Sequence, residues 1–262
     1  MTRAETGHLS AMMNKVPEVT VYFWLIKIMA TTVGETAADL LSTRLGLGLT
    51  LTSWLMSAVF VVALAHQLRS RTYSAPIYWL TVVLISVVGT LISDNLIDGM
   101  GISLVTTSIA FAVILAAVFA LWYRSEGTLS IHKIDTIKRE LYYWAAILFT
   151  FALGTSAGDL TAETLNLGYG PAVLIFGAMI ATVAFPHYVL KMDSILSFWL
   201  AYILTRPLGA SAGDFLAKPV IAGGIGWGTV PTSIVFLRII LAFVTYLAIT
   251  KSDRRLQAIQ EL

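Results

Sequence analysis

The sequence predicts an all-α integral membrane protein with eight transmembrane helices, arranged as four parallel tandem two-helix repeats around a pseudo-symmetric central axis. Of its 262 residues, 57% are hydrophobic and only 12% are charged, about half the charged fraction of an average soluble domain. The apolar residues form runs of about twenty, the length that crosses a hydrocarbon core. A pattern of tryptophan, glycine and aspartate also recurs four times along the chain.

Eight candidate spans follow one another, separated mostly by short glycine-rich turns. They cover residues 17–40, 49–66, 76–97, 102–123, 140–160, 171–190, 194–216 and 229–250. A longer polar stretch divides the chain near its middle. The predicted organisation is an N-terminal segment 1–16, a first repeat pair 17–125, a linker 126–139, a second repeat pair 140–250 and a C-terminal segment 251–262.

Lysine and arginine are distributed unevenly between the two sets of loops. The side with both termini carries Arg3, Lys15, Arg69, Arg71, Arg124, Lys133, Lys138, Arg139, Lys191, Lys251, Arg254 and Arg255, whereas the other side carries Arg44 and Lys218. Because short cytoplasmic loops are enriched in lysine and arginine, both termini are predicted to be cytoplasmic.

Several classes of function are not expected from this composition. The chain has no cysteine, which excludes disulfides, thiolate metal sites and cysteine catalysis. Its basic residues lie between apolar runs and form no patch for nucleic acid. Because no zinc-protease, serine-triad or phosphate-loop motif is present, an enzyme is not expected either.

The internal repeat is the strongest signal in the sequence. Each unit has a tryptophan, a glycine ten residues later and an aspartate five residues after that. The four sets are Trp24, Gly34 and Asp39; Trp79, Gly89 and Asp94; Trp144, Gly154 and Asp159; and Trp199, Gly209 and Asp214. A G-x-G sequence then opens each second helix. Because every unit contributes two spans, all four units have the same orientation and are parallel repeats.

Four tandem two-helix units, each with a tryptophan, resemble the bacterial membrane proteins of the domain of unknown function 347 family. The resemblance extends over about residues 16–250, and the second unit departs most from the pattern, reading GTLISDN from Gly89 to Asn95. It implies an eight-helix fold in the bacterial inner membrane and implies no particular activity.

Ionisable residues inside predicted spans are costly and usually functional. The first helices of the units carry Lys27, Glu35, Asp39, Asp94, Asp159, Arg206 and Asp214, whereas the second helices carry Arg238. We therefore expect the first helices to face the axis and the second helices to face lipid. At 1.5 Å per residue, each aspartate lies about 22 Å beyond its tryptophan. If the tryptophans lie at the cytoplasmic interface, the aspartates surround an extracytoplasmic vestibule.

Each aspartate also has a charged residue four positions away, which an α-helix places on the same face. The pairs are Glu35 with Asp39, Asp94 with Asp98, Asp159 with Glu163, and Asp214 with Lys218. Two interpretations of the aspartates are open: they cap the free N–H groups of the next helix, or they bind an ion. The basic residues Lys27, Arg206 and Arg238 are either internal ion-pair partners, or an anion site or gate.

The preferred function is transport or conduction of a small hard cation, either a divalent metal ion or a proton. Oxygen ligands suit such ions, so Asp39, Asp94, Asp159 and Asp214 are the predicted ion or metal ligands. Glu35 is the candidate for proton coupling, and Lys27, Arg206 and Arg238 provide gating or charge balance. No cofactor is required, although a divalent cation could occupy the acidic site.

Two alternatives stay open from the residues alone. One is a transporter of an anion or small organic solute that uses Lys27, Arg206 and Arg238. The other is a non-transporting membrane scaffold or sensor, which a packed and internally paired interior would favour over a water-filled vestibule. The expected partners are the lipid bilayer and a small solute, and the residues leave open whether two chains form a homodimer.

Overall fold

A computed structural model describes residues 14–253 of the chain. Within that range the regular structure is entirely helical. Arg3, Arg254 and Arg255, and most of the two predicted terminal segments, lie outside the described residues.

All eight predicted helices are confirmed. They are α1 Val21–Asp39, α2 Gly48–Arg69, α3 Ala75–Asp94, α4 Leu104–Glu126, α5 Ile137–Asp159, α6 Tyr169–Val189, α7 Ser194–Ala217 and α8 Thr229–Thr250. The largest change at a helix start is in α1, which begins four residues after the predicted 17, because the Thr20 side chain accepts a hydrogen bond from the Phe23 N–H and caps the helix there. Helix α5 begins three residues before the predicted 140, where the Thr136 side chain accepts a hydrogen bond from the Arg139 N–H.

Six of these helices, namely α2, α3, α4, α5, α6 and α8, are long and apolar enough to cross a membrane. The other two, α1 and α7, have comparable lengths of 19 and 24 residues. They carry most of the buried charge, including Lys27 and Glu35 in α1 and Arg206 and Asp214 in α7.

The first helices of the four units form a closed inner ring. Helix α1 contacts α3, α3 contacts α5, α5 contacts α7, and α7 contacts α1. Each second helix packs mainly against the first helix of the following unit: α2 on α3, α4 on α5, α6 on α7, and α8 back on α1. The expected division into inner and outer helices is therefore confirmed, and each unit depends on its neighbour for its packing.

Buried side chains of the inner ring recur every four residues, as the helical period requires for one face. We name the four resulting layers after one feature of each. Each layer has one residue from each unit. The aromatic layer consists of Phe23, Tyr78, Tyr143 and Phe198, and the Lys27 layer consists of Lys27, Val82, Ile147 and Tyr202. The Arg206 layer consists of Thr31, Ser86, Phe151 and Arg206, and the Glu35 layer consists of Glu35, Thr90, Thr155 and Ala210.

The repeat glycines are close-packing sites inside continuous helices. A Cβ on Gly34 would lie 1.9 Å from Ser86 Oγ, one on Gly154 would lie 2.2 Å from Arg206 Cγ, and one on Gly209 would lie 1.7 Å from Thr31 Oγ1. Gly89 receives Phe151 in the same way. Each glycine thus accommodates the side chain of the Arg206 layer from the neighbouring inner helix, which brings the helices together.

The repeat tryptophans do not form the interfacial belt that the sequence suggested. Trp79, Trp144 and Trp199 are buried, with at most 4% of each residue exposed, so that expectation is wrong for these three. They are buried because each packs on the aromatic layer of the preceding unit. For example, the ring centroids of Phe23 and Trp79 are 5.5 Å apart.

The ends of the inner helices beyond the aspartates are not uniform. Helices α1, α3 and α5 continue into π-helical turns, Leu40–Arg44, Asn95–Gly99 and Leu160–Thr164, whereas α7 stays α-helical to Ala217. A π-turn bonds residues five apart and so changes which side chains share a face.

The opposite end of the bundle joins the N-terminal segment, the linker and the last described residues. The Lys15 N–H donates to the Ile134 carbonyl at 3.0 Å, and the Glu18 N–H donates to the Asp253 carbonyl at 3.1 Å. Lys15 also forms a buried ion pair with Glu140, with 2.7 Å between Nζ and Oε2. These contacts place the two described chain ends on one side of the bundle.

Candidate functional site

The Arg206 guanidinium lies where the four inner helices converge. Its Nη2 donates to Glu35 Oε2 at 3.2 Å, to Thr155 Oγ1 at 2.7 Å and to Thr90 Oγ1. The three acceptors come from α1, α5 and α3 and all belong to the Glu35 layer. Nη1 donates to the Thr31 carbonyl at 3.0 Å. Because one group reaches the same position of three other units, it occupies the centre of the ring.

Local sequence explains how a charged side chain fits there. Arg206 stands where the other units carry Thr31, Ser86 and Phe151, and Gly154 opposite leaves room for its stem. The guanidinium carbon lies 5.5 Å from the centroid of the Phe151 ring, within the range of a cation–π interaction.

The ion pair between Arg206 and Glu35 confirms that these two residues are partners. The Arg206 side chain is fully buried and the Glu35 side chain is 12% exposed. Thr90 also donates to Glu35 Oε2, at 3.4 Å. A buried ion pair is tolerable only when further hydrogen bonds satisfy its atoms. Here Thr31, Thr90 and Thr155 accept from the two Nη groups, whereas Arg206 Nε has no partner among the described residues.

Lys27 lies one layer further toward the aromatic layer and is fully buried. Its Nζ donates to the Tyr202 carbonyl at 2.7 Å and to Thr205 Oγ1, and it lies 3.9 Å from the centroid of the Tyr202 ring. Among residues 14–253, no carboxylate forms an ion pair with it. The interpretation of Lys27 as an ion-pair partner is therefore wrong within the described chain, and a carbonyl and an aromatic face stabilise its charge instead.

The four repeat aspartates lie one helical turn beyond the Glu35 layer, and we call them the acidic mouth. Asp214 is buried, and Asp39, Asp94 and Asp159 are partly exposed. Asp94 and Asp159 interact electrostatically with Glu35, with Asp214 and with each other. These three aspartates therefore face a shared space above the Arg206 network.

The aspartates do not cap the following helices, so the capping interpretation is wrong for the described chain. The N-cap residues of α2, α4, α6 and α8 are Leu47, Ser103, Gly168 and Gly228, and among them only Ser103 accepts a hydrogen bond with its side chain. Between residues 14 and 253, no hydrogen bond or ion pair reaches the carboxylates of Asp39, Asp94 or Asp159. These carboxylates are free to interact with something other than protein.

Lys218 places a positive charge beside two of the carboxylates, Asp214 and Glu163. Its Nζ lies 3.3 Å from Asp214 Oδ2 and 3.3 Å from Glu163 Oε1, and it donates to the Tyr169 hydroxyl at 2.5 Å. Burial opposes the charge on Lys218, but Asp214, Tyr169 and Glu163 more than offset it, and the pKa of Lys218 is raised above its ordinary value. Lys218 therefore bridges units three and four as a cation.

The acidic mouth is not a compact metal-binding cluster. Within the described range, no three histidine, aspartate or glutamate side chains come together in a way that could hold a metal ion. The arrangement suits a hydrated cation, since Mg²⁺ in particular retains several waters when carboxylates bind it. Cation binding by Asp39, Asp94, Asp159 and Asp214 stays a prediction.

Arg238 lies on the exposed face of α8. The structure does not bring it to Lys27 and Arg206, so these three residues form no common site.

The sequence did not lead us to two hydrogen-bond acceptors of Arg206, namely Thr90 and Thr155. A signal for them was present, because both stand eleven residues after their tryptophan, as Glu35 does. Alignment of the four units at every position, and not only at tryptophan, glycine and aspartate, would have placed the three side chains in one layer.

One family model matches the chain in four consecutive segments. Its description is Repeat of Unknown Function (DUF347), and it covers residues 22–73, 77–128, 142–192 and 197–253. Each segment contains one unit from tryptophan to aspartate together with its second helix. No curated protein and no solved structure matches the chain.

Proposed function

The chain belongs to the DUF347 repeat family, and we propose that it is a multi-pass protein of the bacterial inner membrane that carries a small cation along the centre of its inner ring. The observation that carries this proposal is the position of Arg206. It is bound by one residue from each of three other units, directly below a mouth of aspartates that have few partners. The cation is a hard metal ion or a proton.

The distribution of apolar and basic residues supports membrane insertion and orientation. Six helices are long and apolar enough to span a bilayer, and the second helices expose apolar side chains. The chain end with Lys15, the linker and Asp253 is the predicted cytoplasmic side, and the acidic mouth is then extracytoplasmic. Packing of each unit on the next supports a pseudo-fourfold axis along the membrane normal.

The charge of the central region favours a cation over an anion. The four aspartates and Glu35 provide five carboxylates, and Lys27, Arg206 and Lys218 provide three cations. Five minus three leaves two negative charges when all groups are ionised. A cleft lined by one sign of charge concentrates counter-ions of the opposite sign.

The closed centre supports a carrier and not an open channel. The Arg206 network closes the ring below the mouth, and the aromatic layer closes it again further down. A proton or cation that neutralises Glu35 would release Arg206 from its only acidic partner within the described residues. Glu35 and Arg206 thus form the gate in this proposal.

The packed interior favours a second candidate, a membrane scaffold or sensor without a pathway. Between the Arg206 layer and the aromatic layer all the ring side chains are buried, which is the arrangement that a scaffold requires.

The test is flux into proteoliposomes across a panel of cations, anions and pH gradients. Wild type is compared with single Asp39→Asn, Asp94→Asn, Asp159→Asn and Asp214→Asn variants. Asp135→Asn is the control, because Asp135 pairs with Arg139 at the opposite end of the bundle. Cation flux that the mouth variants reduce at least tenfold, and that the control retains, is the expected result. Anion-selective flux, or no flux of any solute from a folded protein, would contradict the proposal.

A further inference from the structure

A groove of about 840 Å³ opens at the end of the bundle opposite the acidic mouth. The last turns of α2, the chain from Ser70 to Thr72, Lys15 and the first turn of α5 line it. It is separate from the ring centre and from every residue that the proposed transport uses.

Two arginines in this groove have no neutralising partner within residues 14–253. Lys15 is paired with Glu140, and Asp135 is paired with Arg139 at 3.1 Å. Arg69 and Arg71 are exposed and form no ion pair among the described residues. The groove therefore has two positive charges that are available to a ligand.

Backbone donors add to these charges. The N–H groups of Arg71 and Thr72 meet no acceptor in the described part of the chain, because the helical bonding of α2 ends at Ser70, whose N–H donates to His66 and Gln67. Guanidinium groups with free backbone N–H groups match the several oxygens of a phosphate group.

The groove also has an apolar part, which continues onto the outer surface of the bundle. Ala65 and Leu68 line it together with Ile137, which is 59% exposed. Further along α2, Val61 and Val62 are also exposed. A ligand that fits both parts has an anionic head and an apolar tail.

We propose that this groove binds an anionic phospholipid of the cytoplasmic leaflet. Arg69, Arg71 and the free backbone N–H groups hold its phosphate, and its acyl chains lie along α2. The proposal rests on the membrane insertion and orientation proposed above and is independent of whether the protein transports anything. Basic residues at the cytoplasmic surface attract anionic lipids.

The repeat provides a matched control. Arg124, near the end of α4, stands at the position that Arg69 occupies in α2, 45 residues after the unit's tryptophan in both cases. It is exposed and does not line the groove. Arg124→Gln therefore removes one positive charge from an equivalent surface, as Arg69→Gln does from the groove.

The experiment is native mass spectrometry of the purified protein with phosphatidylglycerol or phosphatidylcholine added in equal amounts. Wild type is expected to retain phosphatidylglycerol preferentially. We expect that retention to fall about fivefold in Arg69→Gln and about 30-fold in Arg69→Gln/Arg71→Gln, and to stay unchanged in Arg124→Gln. Melting temperatures establish that all variants are folded.

Three results would overturn the proposal. The first is equal retention of the two lipids by wild type, and the second is a loss of retention in Arg124→Gln as large as that in Arg69→Gln. The third is displacement of the lipid by millimolar inorganic phosphate, which would identify a site for free phosphate. Since lipid retention is read without any flux measurement, failure of this proposal and failure of the transport proposal are distinguishable.

Discussion

At the residue scale, one position of the repeat decides the character of the ring centre. In three units this side chain only packs against the repeat glycine of a neighbouring inner helix, and it is Thr31, Ser86 or Phe151. Arg206 packs against Gly154 in the same way, and its guanidinium then reaches three hydrogen-bond partners in the Glu35 layer. The exchange of one packing residue for arginine is sufficient to place a charge where four helices meet.

Replacement of Glu35 should therefore cost much more stability than loss of an exposed partner. Glu35→Gln leaves the Arg206 guanidinium buried without its ion pair, and we expect a loss of about 3 kcal/mol in the free energy of unfolding. Glu163→Gln removes a carboxylate that is 48% exposed and paired with Lys218, so a loss of at most about 1 kcal/mol is expected. Chemical denaturation in detergent measures both. Equal losses would contradict the assigned role of Glu35.

Substitution of Gly154 tests whether the Arg206 side chain packs against this glycine. In Gly154→Ala the new methyl group would lie 2.2 Å from Arg206 Cγ and 2.5 Å from its Cβ, so we expect a loss of about 1–3 kcal/mol from overpacking. Gly177→Ala in α6 is the matched control, because nothing lies within 4 Å of the added Cβ. Alanine favours a helix by about 1 kcal/mol over glycine, so the control should be neutral or stabilised. A Gly154→Ala protein as stable as the control would show that the helices do not approach as described.

At the scale of the helices, the return of α8 onto α1 closes the outer ring. The Ser233 hydroxyl donates to Thr36 Oγ1 at 2.7 Å, although the two residues belong to the last and first units. Hydropathy predicts that α8 is an outer helix but contains no information about which inner helix it covers.

This closure can be tested by a disulfide, since the chain has no cysteine of its own. Thr36→Cys/Ser233→Cys should form an intramolecular disulfide on mild oxidation, because side-chain oxygens 2.7 Å apart place the two Cβ atoms near disulfide range. Thr36→Cys/Thr106→Cys is the control, because α4 packs on α5 and not on α1. Mass analysis of the oxidised proteins reads the result. A bond in the control, or none in the first pair, would contradict the helix order.

Much of the element arrangement was predictable from the sequence, and the exceptions have physical reasons. The apolar runs predicted eight helices, the spacing of tryptophan, glycine and aspartate predicted four repeat units, and the position of charge predicted which helices lie inside. The tryptophans were misplaced because aromatic residues suit both an interface and a core, and only the neighbouring unit's aromatic layer decides between them. Arg238 was misplaced because its depth along α8 was predictable and its direction around the helix was not.

The pairs four residues apart also show how local geometry limited the sequence interpretation. Residues four apart share a face beyond the aspartate only if the inner helix continues there as an α-helix. In the second and third units a π-turn follows the aspartate instead, and Asp98 and Glu163 lie in these π-turns. In the fourth unit α7 stays α-helical to Ala217, and Asp214 and Lys218 form an ion pair. Glu35 and Asp39 both lie inside α1, so the π-turn of the first unit does not change their spacing. A π-turn of this kind has no simple sequence signature, so the sequence could not distinguish the fourth unit from the others.

At the scale of the whole molecule, the bundle has two different ends and a closed middle. The carboxylates of the acidic mouth lie at one end. The described chain ends, the linker and the groove with Arg69 and Arg71 lie at the other. Between them lie the Arg206 network, Lys27 and the aromatic layer, with buried side chains from all four units. The central claim is that the acidic mouth is open to solvent and that the ring below Arg206 is not.

The most direct measurement is thiol modification of two single-cysteine variants in α5, Asp159→Cys and Ile147→Cys. The sites are twelve residues, or about 18 Å, apart on one helix, with Asp159 in the mouth and Ile147 in the Lys27 layer. In detergent, where a charged thiol reagent reaches both ends, we expect Asp159→Cys to react fully and Ile147→Cys to react at least a hundredfold more slowly, as followed by intact mass. Comparable rates in the folded proteins would reveal a continuous aqueous path, and an unreactive Asp159→Cys would show that no open mouth exists. Either result would contradict a closed centre beneath an open acidic mouth.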